Sequence, residues 1–230
     1  MYHHKSFLAI IPARSGSKGI IDKNIKRMND KPLMAYTIEA AVKAQIFDDI
    51  IVSTDSMEYA KTASAYGASI PFIRPKELAR DTTSTYEVIL HVLQELKFQG
   101  KTYDYFMILQ PTSPLRNERH ITQSIDVLLS CEADAVVSIC ELEHPSFLNV
   151  CLHTNGALDF PLSSSENLRR QDVAKEYRIN GAIYLCKTSY FLKQKSFYGE
   201  KTYPYIMSQI ASIDIDNMEQ FKHAEWLMQR

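Results

Sequence analysis

The sequence predicts an α/β fold in which a mostly parallel, twisted sheet is flanked by helices. Two observations predict it. Short apolar, β-branched runs alternate along the chain with longer stretches whose apolar residues recur at helical spacing, which is the pattern of βαβ units. The first run, Phe7 to Ile11, also leads into a small cationic loop, Ala13-Arg14-Ser15-Gly16-Ser17-Lys18-Gly19. A Rossmann-like sheet presents backbone N–H groups to phosphate from such a loop.

The candidate strands, in order, are Phe7 to Ile11, Ile50 to Ser53, Ile70 to Ile73, Tyr105 to Leu109, Ala135 to Ile139, Ala182 to Cys186 and Ile210 to Asp214. Between them, Pro32 stands at the start of a helix running to about Ala44, where its missing N–H costs no intrahelical bond. Another helix begins near Met57. Val88, Ile89, Val92, Leu93 and Leu96 form one face of the next, and Ile121, Ile125, Leu128 and Leu129 one face of a fourth. Asn217 is a candidate N-cap for the last helix, which groups Phe221, Ala224, Leu227 and Met228. After Cys140 the alternation weakens. Glu141 to Tyr177 mixes polar, charged and small residues, including Ser163-Ser164-Ser165, before Arg178-Ile179-Asn180-Gly181 resumes an ordered pattern. Residues 141–180 are therefore expected to leave the sheet as a lid or an oligomerisation arm within one domain spanning 1–230.

At 230 residues and 45% hydrophobic content, the chain can bury a sizeable core. A formal net charge of −1 argues against bulk nucleic-acid binding, because phosphate-backbone binders carry a basic surplus. The cations are local instead. No apolar run reaches transmembrane length and the first residues lead straight into a strand, so no membrane partner and a cytoplasmic location are expected. Cys131, Cys140, Cys151 and Cys186 show no Cys-x-x-Cys spacing and are read as buried small hydrophobes.

The loops carry the chemistry. Gly16 and Gly19 let the backbone approach a ligand closely, Arg14 and Lys18 supply positive charge, and Asp22-Lys23-Asn24 adds a second cation. Neither a P-loop nor a Gly-x-Gly-x-x-Gly fingerprint is present in this stretch. Asp55 follows a buried strand and either faces a ligand or caps the helix near Met57. Arg74 precedes Asp81-Thr82-Thr83-Ser84-Thr85, whose hydroxyls suit a nucleobase, unless Asp81 or Thr82 merely caps the following helix. Gln110-Pro111-Thr112-Ser113-Pro114-Leu115-Arg116 is a proline-stiffened shelf whose Gln110, Thr112 and Ser113 suit sugar hydroxyls. Arg170 and Arg178 are candidates for a carboxylate, which guanidinium groups grip bidentately. On the expected last strand Asp214 and Asp216 share a face, roughly 6 to 7 Å apart. Such carboxylates repel unless a cation lies between them, and Mg²⁺ shared with phosphate oxygens, or Mn²⁺ in its place, provides one. The alternative is an Asp216 helix cap and an Asp214 salt bridge.

Taken in order, Arg14 to Gly19 with Lys23-Asn24, Arg74 to Thr85, Leu109 to Arg116, Arg170 with Arg178 to Tyr184, and Asp214 with Asp216 resemble the motifs of the CMP-sialic acid synthetases, the acylneuraminate cytidylyltransferases. The resemblance spans nearly the whole chain. It implies a nucleotide-diphospho-sugar transferase-like fold and the joining of CTP to a nonulosonic acid such as N-acetylneuraminic acid, with release of pyrophosphate. It also implies that Ala13, Arg14, Ser17, Lys18, Asn24, Arg74 and Thr85 bind nucleotide. Arg14, Lys18, Lys23, Asp214 and Asp216 would act in catalysis, and Gln110, Arg170, Arg178, Asn180 and Tyr184 would bind the sugar. A homodimer in which 141–180 reaches the neighbour's site is implied as well. There is one departure: where the family often places lysine two residues after a His-Pro pair, His144-Pro145 leads here to Ser146-Phe147-Leu148. Legionaminic and pseudaminic acids therefore stand as alternative acceptors. Kdo is disfavoured because its enzymes lack the Gln-Pro-Thr-Ser-Pro-Leu-Arg shelf, and a catalytically silent nucleotide sensor is the alternative outside the class.

Overall fold

The first apolar run forms β1 (Phe7–Pro12), and Phe7 to Ile11 are completely buried in the computed structural model, which describes residues 2–159 and 174–229. Burial on both faces follows from the alternation of side chains along a strand. Phe7, Ala9 and Ile11 join one core with Met34, Ile38, Ile121, Ile125 and Leu128. Leu8 and Ile10 join a second with Ile89, Val92, Leu96, Phe106 and Phe191. Each large apolar side chain so buried contributes about 1.5–3 kcal/mol of transfer free energy.

The remaining strands are β2 (Arg27–Met28), β3 (Lys31–Pro32), β4 (Asp49–Ser53), β5 (Tyr105–Ile108), β6 (Ala135–Glu141), β7 (Cys151–Leu152), β8 (Leu158–Asp159), β9 (Tyr177–Lys187) and β10 (Thr202–Ile206). The helices are α1 (Leu33–Ala44), α2 (Met57–Ala65), α3 (Thr85–Phe98), α4 (Glu118–Ser130), α5 (Thr188–Gln194) and α6 (Met218–Leu227). Six strands make the main sheet in the order β10-β6-β9-β5-β1-β4. Three of its five pairings are parallel, and β9 runs antiparallel to both neighbours. Ile10 lies opposite both Ile51 and Ile108, so the loops that follow β1, β4 and β5 emerge side by side. A third, smaller core of Ile20, Met28, Leu33, Ile215, Phe221 and Ala224 ties the loop after β1 to α6.

Two expected strands do not form. After Ser69 makes a single bridge to Ile51, Pro71 lacks the N–H that a ladder would need, and Ile70 to Ile73 leaves the sheet. Ile210 to Ser212 is a 3₁₀ turn rather than the start of a strand. Serine hydroxyls favour that turn: Ser212 Oγ donates to Ser208 O at 2.7 Å, and Ala211 N–H donates to Ser208 Oγ at 3.2 Å. Conversely, β9 is longer than the expected Ala182 to Cys186, and β10 was not expected. Pro204 is tolerated in β10 because that strand is at the sheet edge. The helix starts fare better. Asn217 caps α6 in a reciprocal capping box with Gln220.

Beyond β6 the chain leaves the sheet through a 3₁₀ turn (Ser146–Leu148) and the β7/β8 hairpin, returning as β9. Arg170, Gln171, Asp172 and the triple serine lie outside the described residues. Cys140 and Cys186 are buried as expected, whereas Cys131 and Cys151 are exposed. Among the described residues no helix is long and apolar enough to cross a membrane.

Candidate active site

The loop after β1 is pinned before it reaches any ligand. Ala13 is buried and its N–H donates to Ser53 O at 2.9 Å, which continues the β1/β4 pairing by one residue. Ser15 donates to Asp55 twice, from its N–H at 2.8 Å and its hydroxyl at 2.6 Å. Asp55 therefore does not cap α2; Ser56 does. Burial alone would raise the Asp55 carboxyl, but the two Ser15 bonds and the nearby Arg74 charge hold it below its ordinary value. Gly16 takes φ +69°, and a Cβ at Gly19 would overlap the Asp216 carbonyl. Asn24 is buried and donates to Arg14 O at 3.1 Å. Lys23 Nζ donates to Ile215 O at 2.6 Å and lies 3.6 Å from Asp216 Oδ1.

Across the loop, Asp81 pairs with both Arg14 Nη2 and Lys18 Nζ at 2.6 Å. Ser84, not Asp81 or Thr82, caps α3, in a capping box with Glu87. Arg74 is almost wholly buried, donating from Nε to Ser53 Oγ at 2.9 Å and from Nη2 to Ser53 O at 2.5 Å. Burial pulls its guanidinium down to about 10.

The shelf after β5 supports the acidic loop, since Ile215 N–H donates to Thr112 O at 2.9 Å. Beneath it Arg116 is fully buried, donating from Nη2 to Thr37 Oγ1 at 2.6 Å and to Gln110 O at 3.4 Å. Burial pulls this guanidinium to about 9. Asp214 is raised, chiefly by burial, against the opposing effects of the Thr112 hydroxyl, Lys23 and Arg178. Its buried Oδ1 has no hydrogen-bond partner among the described residues. Although the expected strand is absent, Asp214 and Asp216 do meet in one cleft.

That cleft, of about 410 Å³, is lined by Arg14, Ser17, Lys18, Lys23, Asn24, Arg74, Thr85 and Gln110 together with both aspartates. Thr85 and Gln110 also border a cavity of about 250 Å³ walled by Tyr86, Tyr184, Phe191, Phe197 and Tyr198. Burial pushes the Tyr184 hydroxyl up to about 12. On the far side of the aspartates, Arg178 borders a third cavity of about 330 Å³ with Gln220 and His223. Asn180 lines none of the three. It is buried, accepts from Ser138 Oγ at 2.5 Å and donates to Ser212 Oγ at 2.8 Å, anchoring the segment that carries Asp214. Sequence reasoning missed the aromatic wall at Phe191, Phe197 and Tyr198, whose spacing reads as ordinary core, and the Asp81 pairing.

A cationic glycine loop facing two carboxylates across one cleft prompts comparison with known proteins, and the family model described as cytidylyltransferase matches residues 8–230. The chain belongs to the cytidylyltransferase family. It is 39% identical over 224 residues to the N-acylneuraminate cytidylyltransferase of Escherichia coli, a match that covers 97% of the chain and 52% of that protein. This cytidylyltransferase-family chain thus spans about half the length of that relative. It is 34% identical to the CMP-N,N'-diacetyllegionaminic acid synthase of Legionella pneumophila, with 96% of each protein covered. The fold is similar to that of CMP:2-keto-3-deoxy-manno-octonic acid synthetase complexed with CTP, at TM-score 0.72 and 16% identity, covering 97% of the chain and 98% of that structure.

Proposed function

We propose that the chain joins CTP to an acylated nonulosonic acid, forming the CMP-sugar and pyrophosphate. The cleft carries this reading: cations from the β1 loop and carboxylates from the acidic loop face one another beside an aromatic cavity that shares Gln110 and Thr85. Arg14, Lys18 and Lys23 bind the triphosphate and stabilise the departing pyrophosphate, while Ser17, Asn24 and the Ala13 backbone shape the loop around it. Arg74 and Thr85 hold the base. Gln110 and Tyr184 bind the sugar from the aromatic cavity; Arg178 opens on a separate cavity across the aspartates, so its assignment to the sugar carboxylate, like that of Arg170, rests on the family resemblance alone. Asn180 acts through Ser212 by positioning the acidic loop. The anomeric hydroxyl attacks the α-phosphorus in line, and the residues supply orientation and charge.

The unpartnered Oδ1 of Asp214 and the nearby Asp216 suit Mg²⁺, or Mn²⁺, which is held by one or two carboxylates plus substrate phosphates. When bound, the ion supplies positive charge that polarises the phosphate. We further propose a cytoplasmic homodimer in which residues 1–230 form one domain. Leu148, Val150, Leu152, Leu158, Tyr177 and Ile179 are exposed on and beside the hairpin, an apolar surface suited to a second copy.

N-acetylneuraminic acid is the first acceptor to try, given the Escherichia coli relative. Legionaminic acid is the second reading, favoured by a match that covers nearly all of both chains. Pyrophosphate release with CTP and Mg²⁺ is measured against N-acetylneuraminic, legionaminic, pseudaminic and Kdo acids, with Asp214→Ala and Asp216→Ala as controls. Turnover with one of the first three, lost in both variants, is expected. No turnover with any of the four returns the chain to the nucleotide-sensor alternative, and undiminished activity in the variants refutes the metal site.

A further inference from the structure

Asp81 occupies the cations assigned above to the triphosphate. Its Oδ1 lies 2.6 Å from Arg14 Nη2 and its Oδ2 2.6 Å from Lys18 Nζ, so one carboxylate of the chain spans both. The residue lies within a turn closed by Thr83 N–H donating to Arg80 O at 3.1 Å. Thr83 and Thr85, on the same segment, line the nucleotide cleft with Arg14 and Lys18. Arg14 and Lys18 keep further N–H donors, but a phosphate that binds them meets the Asp81 carboxylate already in contact with both, so two anions repel one another while competing for the same two positive charges.

We propose that Asp81 is a specificity-determining residue, an internal anion that competes with polyphosphate for Arg14 and Lys18. It weakens the hold on triphosphate and pyrophosphate and leaves the nucleoside untouched. The inference rests on the reading of Arg14 and Lys18 as triphosphate ligands. Side-chain exposure of 33% for Arg14, 82% for Lys18 and 38% for Asp81 makes each ion pair weak, so the exchange between carboxylate and phosphate is easily reversed. The carboxylate is held below its ordinary value first by the Lys18 bond, and stays an anion throughout the neutral range. As pyrophosphate departs, Asp81 takes back both cations, which opposes rebinding of that product.

The test is calorimetric titration of inorganic tripolyphosphate and pyrophosphate into the full chain and into Asp81→Asn. Cytidine serves as the uncharged probe, and Glu77→Gln makes the same change of net charge at an exposed position on the same segment. In Asp81→Asn both polyphosphates should bind about threefold to tenfold more tightly, the range that two exposed ion pairs allow. Cytidine binding should be unchanged, as should polyphosphate binding to Glu77→Gln. Weaker or unchanged polyphosphate binding in Asp81→Asn overturns the proposal, because Asp81 would then be orienting the cations or doing nothing to them. Equal tightening in Glu77→Gln overturns it in favour of a diffuse field. Undiminished binding to an Arg14→Ala, Lys18→Ala double variant instead overturns the underlying reading of the loop.

Discussion

Replacing Gly181 with alanine loads the backbone and the site at one atom. Gly181 has φ +77°, where an alanine costs about 1–2 kcal/mol. The new Cβ would also stand 2.9 Å from Gln110 Oε1 and 3.8 Å from Asp214 Oδ2. Gln110 must swing aside, and an off-rotamer side chain costs about 0.5–1.5 kcal/mol more. Together these give about 1.5–3.5 kcal/mol, which for a chain of this size lowers Tm by about 3–14 °C. Gly67→Ala is the matching control, with φ +98° and its nearest contact at Val42 Cγ2, 3.3 Å away and outside the cleft. Both variants should lose stability in thermal unfolding. In a pyrophosphate-release assay only Gly181→Ala should raise KM for the acceptor acid, by about tenfold to a hundredfold, the scale set by a misplaced binding group. A normal acceptor KM in Gly181→Ala, despite a lower Tm, would separate Gln110 from the acceptor. No fall in Tm would refute the strain itself.

Gly19→Ala places a Cβ against the Asp216 carbonyl without any left-handed backbone penalty, so the phosphate and acidic loops must part. Pyrophosphate release should fall more than tenfold with a stability loss of only about 1–3 kcal/mol; wild-type rates would show that the close approach is dispensable. Asp55→Asn weakens the tether to Ser15 and should raise KM for CTP more than for the acceptor, and an equal rise in both would point to general unfolding. The Asp55 carboxyl is depressed in the folded protein, so its stabilisation is present above the unfolded value of about 3.9 and is lost as pH falls through the lower folded value. The Tm gap between wild type and Asp55→Asn should therefore be full at pH 7 and begin to close below about pH 4. A gap that widens there contradicts the depressed carboxyl.

Much of the site was legible because its chemistry is local. Glycines among cations, a proline-stiffened shelf and two aspartates with even spacing each announce themselves within a few residues, and the structure brings them to one cleft. Even the mistaken strand at Ile210 to Asp214 did not separate the two carboxylates, because Ile215 is anchored to Thr112 rather than to a sheet ladder. Asn180 was different. Its neighbours in sequence resemble a ligand pocket, yet it is buried and bonded to Ser138 and Ser212, where the β6/β9 register shifts and β9 carries the extra residues.

By itself the sequence determined the α/β class, the faces of the long helices, the Asn217 cap of α6 and the loops that bear the chemistry, since periodicity and residue type act over one or two turns; the caps of α2 and α3 fell instead to Ser56 and Ser84. Only the tertiary structure decided that β9 runs antiparallel between β5 and β6 and that β10 closes the sheet edge. It alone joined Asp81 to Arg14 across 67 residues and Asp55 to Ser15 across 40. A strand's composition does not encode its direction or its neighbours, and those pairings exist only once strand order and register have set the loops beside one another.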